Sequence, residues 1–103
     1  MKSRRTKATD IPKKVKDIVW ERDGGKCIVC GYYPSIPACH IVSRAHSGRG
    51  IETNICTLCS AHHLLFDSGT REQRDTIDRM VVRYMKSIYG DGWCKEDQVY
   101  RKW

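Results

Sequence analysis

The stretch Cys56–Asp67, CTLCSAHHLLFD, places five metal-ligating side chains within twelve residues: Cys56, Cys59, His62, His63 and Asp67. A zinc ion takes four nitrogen or sulfur ligands in a tetrahedron. The stretch therefore supplies half of one metal site and has side chains left over for other work. The other half lies upstream in Cys27-Ile28-Val29-Cys30-Gly31, where the glycine can take the left-handed turn after the second cysteine. Two registers complete the set. Cys56 with Cys59 gives four cysteines, whereas Cys59 with His62 gives three cysteines and one histidine. In the second register Cys56 is an ordinary small apolar residue on a buried strand.

Working outward, Ile36–Arg44 (IPACHIVSR) is rich in β-branched and apolar residues and predicts a strand. A loop over residues 45–52 and a short second strand over 53–58 follow. Upstream, residues 10–25 predict a short helix, with Pro12 in its first turn, Ile11, Val15, Ile18 and Val19 on one face, and Gly24-Gly25 as its stop. Downstream, residues 60–69 predict one or two helical turns closed by Gly69. Thr70 and Gln73 form a capping box that starts a longer helix over about 71–89. Its apolar positions Ile77, Met80, Val81, Tyr84, Met85 and Ile88 keep the 3.6-residue period of a core-facing stripe. The tail carries Trp93, Tyr100 and Trp103 as anchors that should fold back on the body.

A chain of 103 residues makes one small domain, expected over residues 11–103, for which a structural metal is a natural supplement to the core. Residues 1–10 read as a flexible basic arm. The net charge is +7, and residues 1–16 carry seven bases against the single acid Asp10, a distribution suited to a polyanion such as DNA. No run of apolar residues is long enough to span a membrane, and no signal peptide is visible. Six cysteines in paired spacing beside histidines, without an export signal, favour metal ligation in a reducing cytoplasm over disulfides.

His40, then Asn54 fourteen residues on, then His63 nine residues further, sit inside a C-x-x-C…C-x-x-(C/H) frame. This constellation resembles the HNH nucleases, the ββα-metal family. The resemblance covers about residues 19–68 and looks closest to small bacteriophage HNH proteins, in VWERDGGKCIVCG, HIVSRAHSGRGIETNI and HHLLFDSG, with VYRKW at the end. It implies an α+β fold: a small ββα-metal domain on a structural zinc knuckle, with flanking N- and C-terminal helices. It also selects the register. In HNH proteins with this frame the last knuckle ligand directly precedes the third motif residue, which implies Cys27, Cys30, Cys59 and His62 around a structural Zn²⁺, followed by His63.

The resemblance further implies an endonuclease that hydrolyses DNA phosphodiesters. His40 would be the general base, since an imidazole pKa near ~6.5 suits proton removal close to neutral pH. His63 would bind a catalytic divalent metal, Mg²⁺, Mn²⁺, Ni²⁺ or Zn²⁺, that polarises the phosphate. Asp67, four residues on along a helix, is a second candidate ligand. Asn54 would tie the loop after the first strand and so orient the base, and Arg44 could hold a phosphate oxygen. Where relatives commonly carry Asp or His before the catalytic His, this chain has Cys39, a softer candidate ligand that would favour thiophilic ions. The implied setting is phage DNA processing, with terminase as a partner, in the host cytoplasm. A non-catalytic zinc-knuckle DNA-binding module and an RNA nuclease are the rival expectations.

Overall fold

The computed structural model describes residues 2–101. Six elements follow in order: α1 (Arg4–Thr9), α2 (Lys13–Asp23), β1 (Ile36–His40), β2 (Ile55–Leu58), α3 (Ser60–Ser68) and α4 (Arg71–Tyr89), with short 3₁₀ turns at Arg44–His46, Glu52–Asn54 and Lys95–Gln98. This is a small α+β arrangement in which one two-stranded antiparallel sheet is covered on both faces.

β2 is buried at every position, and its alternation assigns residues to two cores. Ile55 packs with Val15 and Val19 of α2, backed by Ile11. Cys56 and Leu58 join Ile77, Val81 and Met85 of α4, together with Cys39, Ile41 and Trp93. The periodic stripe of α4 is thus core along its centre, while Met80 and Ile88 sit at the rim, about two-fifths exposed at 41% and 40%. Ile18, expected on the buried face of α2, is exposed to a similar degree.

In the sheet, Ile36 pairs with Leu58, Cys39 with Cys56 and His40 with Ile55. β1 therefore carries one residue more than β2 between the first two pairs, a bulge beside Pro37, which has no N–H to give the ladder. β1 ends at His40, short of the strand to Arg44 that composition suggested. The ladder passes instead to one residue: Ile41 N–H donates to the Asn54 carbonyl at 2.8 Å and Val42 N–H to Asn54 Oδ1 at 2.9 Å.

The helix boundaries follow local signals. α2 starts after Pro12 and stops at Gly24 in the left-handed conformation. α4 has both bonds of the Thr70–Gln73 capping box. The tail does fold back: Trp93 Nε1 donates to the Thr53 carbonyl at 2.8 Å, and Tyr100 N–H to the Ser47 carbonyl at 2.7 Å. Trp103 lies outside the described residues.

Residues 4–9 correct the expectation of a flexible arm. They form a helix whose first turn is capped by Ser3 Oγ, accepting from Thr6 N–H at 3.1 Å, and Thr9 is buried. Six residues of helix are unstable alone in water. What holds this one is tertiary: it docks on residues 44–50. Among the described residues no helix is long and apolar enough to cross a membrane.

Candidate metal centre and histidine cleft

The turn after α2 and the start of α3 build the metal centre. Gly31, at φ +80°, closes the knuckle with its N–H donating to the Cys27 carbonyl at 2.8 Å. Cys59 is the N-cap of α3, its sulfur accepting from His62 N–H at 3.4 Å. One helical turn brings His62 round to the same point. The ligand atoms of Cys27, Cys30, Cys59 and His62 all lie within 4.8 Å of one another.

Their separations test the fit. Zn–S bonds of about 2.3 Å and Zn–N bonds of about 2.0–2.1 Å put tetrahedral neighbours about 3.8 Å apart for S–S and about 3.5 Å for S–N. Cys30 Sγ to Cys59 Sγ is 3.8 Å, while His62 Nδ1 is 3.3 Å from Cys59 Sγ and 3.8 Å from Cys27 Sγ. The four residues can hold a metal ion, and their geometry is compatible with zinc. Cys56 is not among them: it is fully buried in the sheet opposite Cys39.

The histidines gather at the other end of the sheet. Adjacent Cys39 and His40 leave β1 on opposite faces. His40 lines a cleft of about 360 Å³ together with His63, Asp67, Ser43 and Arg44. A second cleft, of about 690 Å³, shares His40, Ser43 and Asp67 and extends to Arg71 and Arg74 at the start of α4. Cys39, 1% exposed, is buried in the core and does not line either cleft.

Each site residue has definite partners. His63 Nε2 is 3.4 Å from Asp67 Oδ2 across one turn of α3. The Cys39 thiol raises the pKa of His63, against the effect of burial. Cys39 itself is brought down to about 7, chiefly by hydrogen bonding from Cys56 and then by His63. Burial holds the His40 imidazole below its ordinary value, which favours the neutral ring. Asn54, fully buried, accepts from Val42 N–H and donates to the carbonyls of Val42 at 3.2 Å and Arg49 at 2.9 Å. It pins the loop that carries Arg44. Among the described residues, Cys39, His63 and Asp67 do not form a second ready group of three converging ligand atoms.

Three features lie beyond what the sequence suggested. His40 Nε2 is bonded to the Thr9 carbonyl at 2.7 Å, and Arg44 is paired with Asp10 at 2.5 Å. Behind the sheet, the buried Asp23 carboxylate accepts from Arg22, Thr57 N–H and Tyr84 Oη, while Arg22 also donates to the carbonyls of Glu52 and Ile55. A carboxylate in the last turn of a helix opposes the macrodipole. That was the only local signal that Asp23 had other employment. His46 bonds Ser43 Oγ at 2.8 Å, and Cys94 stands outside the metal group. Compared with models of protein families, with curated proteins and with solved structures, the chain matches none.

Proposed function

We propose that the protein is a small metal-dependent nuclease of the HNH type that hydrolyses DNA phosphodiester bonds, with structural zinc on Cys27, Cys30, Cys59 and His62. The observation that carries this reading is the meeting of His40, from β1, with His63 and Asp67, from α3, in one cleft whose rim is fixed by Asn54. Neutral His40 takes the proton of an attacking water. His63 and Asp67 are the residues that would hold a divalent ion, which would supply Lewis-acid polarisation of the scissile phosphate. Arg44 engages a phosphate oxygen, and Asp10 must yield its pairing for that to happen. The family resemblance adds 5′-phosphate and 3′-hydroxyl products and a phage DNA-processing role beside terminase in the host cytoplasm.

Plasmid nicking with Mg²⁺, Mn²⁺, Ni²⁺ or Zn²⁺, against a chelator control, tests this directly. Cleavage should need added metal, and His40→Ala should lower it by about 10²–10⁴-fold while zinc content and thermal unfolding hold. Substantial cleavage by His40→Ala would remove His40 from the mechanism. The second reading, a zinc-knuckle DNA-binding module without catalysis, is favoured by the Thr9 and Asp10 contacts that already engage His40 and Arg44. It predicts DNA binding with no nicking in any metal.

A further inference from the structure

The N-terminal helix carries cations, yet much of what seats it is backbone. The Ala8 carbonyl accepts from Gly50 N–H at 2.9 Å, and the Thr9 carbonyl accepts from His40 Nε2 at 2.7 Å. Arg5 donates to Ser47 Oγ at 2.9 Å and to the Arg44 carbonyl, and Asp10 pairs with Arg44. Gly50 permits the approach: a Cβ there would stand 1.8 Å from the Asp10 carbonyl oxygen.

A carbonyl oxygen only accepts, so Nε2 of His40 must carry a ring proton, and in neutral imidazole the lone pair then sits on Nδ1. Nδ1 has no hydrogen-bond partner among the described residues and is not one of their buried unpaired atoms. His40 itself is half-buried and lines the cleft, so Nδ1 is the ring nitrogen left for it. Without the carbonyl, the neutral ring would divide between two tautomers, only one of which offers a base at Nδ1.

We infer that the N-terminal segment is a strap whose Thr9 carbonyl holds His40 in the Nε2–H tautomer and leaves Nδ1 as the basic nitrogen of the cleft. Thr9 is then a positioning residue acting through its backbone. The tautomer stands by itself; its consequence for hydrolysis rests on the nuclease reading above.

Two variants of the full protein unseat the strap. Deletion of residues 2–9 removes the carbonyl. Gly50→Ala forces the Asp10 backbone away while keeping every charge. Long-range ¹H–¹⁵N spectra of the ring, at about pH 8 where His40 is neutral, should show wild-type His40 protonated at Nε2 with a pyridine-like Nδ1. Both variants should show averaged nitrogens. In nicking, Gly50→Ala should lose roughly 10–10²-fold in kcat, the scale of a small misplacement, with KM little changed. A fall confined to KM would make the segment a DNA-binding arm instead. Variant ring spectra identical to wild type would overturn the strap. If neither variant folds, the wild-type spectrum decides, since a protonated Nδ1 or mixed tautomers there is equally fatal. A wild-type protein that cleaves nothing, with ring spectra responding as expected, would sink the nuclease reading and leave the strap standing.

Discussion

Two residues separate Cys56 from Cys59, and the end of β2 sends them to different neighbours. Cys56 packs against Cys39 in the sheet, whereas Cys59 turns into the N-cap of α3 and meets Cys27, Cys30 and His62. Structural zinc therefore predicts opposite outcomes for the two. Cys59→Ala should lose metal and the cooperative fold together, because a site of this kind is absent from the unfolded chain. Cys56→Val, a similar volume in an apolar setting, should keep both. Metal content by mass spectrometry beside thermal unfolding checks the pair, and a metal-free Cys56→Val would refute this ligand set. Cys39 is subtler, since its buried thiol and His63 shift each other's pKa. On the nuclease reading, Cys39→Ala should shift the titration of cleavage with added divalent metal and spare an ion held by Cys27, Cys30, Cys59 and His62. Cys39→Asp sets a hard oxygen beside His63 and should raise Mg²⁺-supported cleavage relative to a thiophilic ion. Should Asp only lower the melting temperature, with metal preference unchanged, Cys39 is packing and the cost is a buried charge.

At the scale of elements, α2 is fastened to the rest of the protein by the pair at its end. The Arg22 and Asp23 side chains are 9% and 0% exposed, and between them they reach β2, the Glu52–Asn54 turn and α4. Asp23→Asn keeps the volume but strands a buried guanidinium, and should destabilise by about 3–5 kcal/mol in denaturant unfolding. Tyr84→Phe removes one donor to the Asp23 carboxylate and should cost roughly 1.5–3 kcal/mol. An Asp23→Asn protein as stable as wild type would mean that water replaces the network. Apart from the acid in the last turn of α2, none of this was legible in the sequence, because the partners of residues 22 and 23 lie 30 to 67 positions away. What was legible had local causes. Gly24 ends α2, Thr70 and Gln73 start α4, and cysteine spacing marked a metal group in two possible registers, between which the family resemblance chose. α1 failed for the complementary reason: its composition is that of a solvated arm, and its helix exists through Gly50, Ser47 and His40. For the cleft, it was the resemblance to HNH nucleases that singled out His40, Asn54 and His63. Nothing in the sequence announced that Thr9 and Asp10 would occupy the partners of His40 and Arg44.

For the molecule as a whole, the question is how so little core holds three layers together. The radius of gyration, 13.1 Å, is that of a fully folded chain of this length. Yet the core on the α2 side consists of Val15, Val19 and Ile55 with Ile11 against it, and the larger core counts three cysteines besides Cys39 among its members, two of them in the metal group. Those two, Cys27 and Cys59, lie where the turn after α2 meets the start of α3. A bound ion therefore joins the α2 side of the sheet to the α3–α4 side. Apparent zinc affinities of about 10–16 kcal/mol exceed the usual net stability of a small domain, so the metal-bound and metal-free chains should differ by most of the folding free energy. Chelator titration followed by circular dichroism should abolish the cooperative thermal transition, and stoichiometric Zn²⁺ should restore it. With zinc in excess of the chelator, the melting temperature should rise with free zinc, as mass action requires of a ligand bound only by the folded state. The buried pair of Arg22 and Asp23 would not rescue the metal-free chain, since it fastens α2 to β2 and α4 but leaves the knuckle without its own anchor. A chelated protein that still melts cooperatively at the wild-type temperature would show that the apolar layers suffice. The Cys27–His62 group would then be a bound-metal site of some other use.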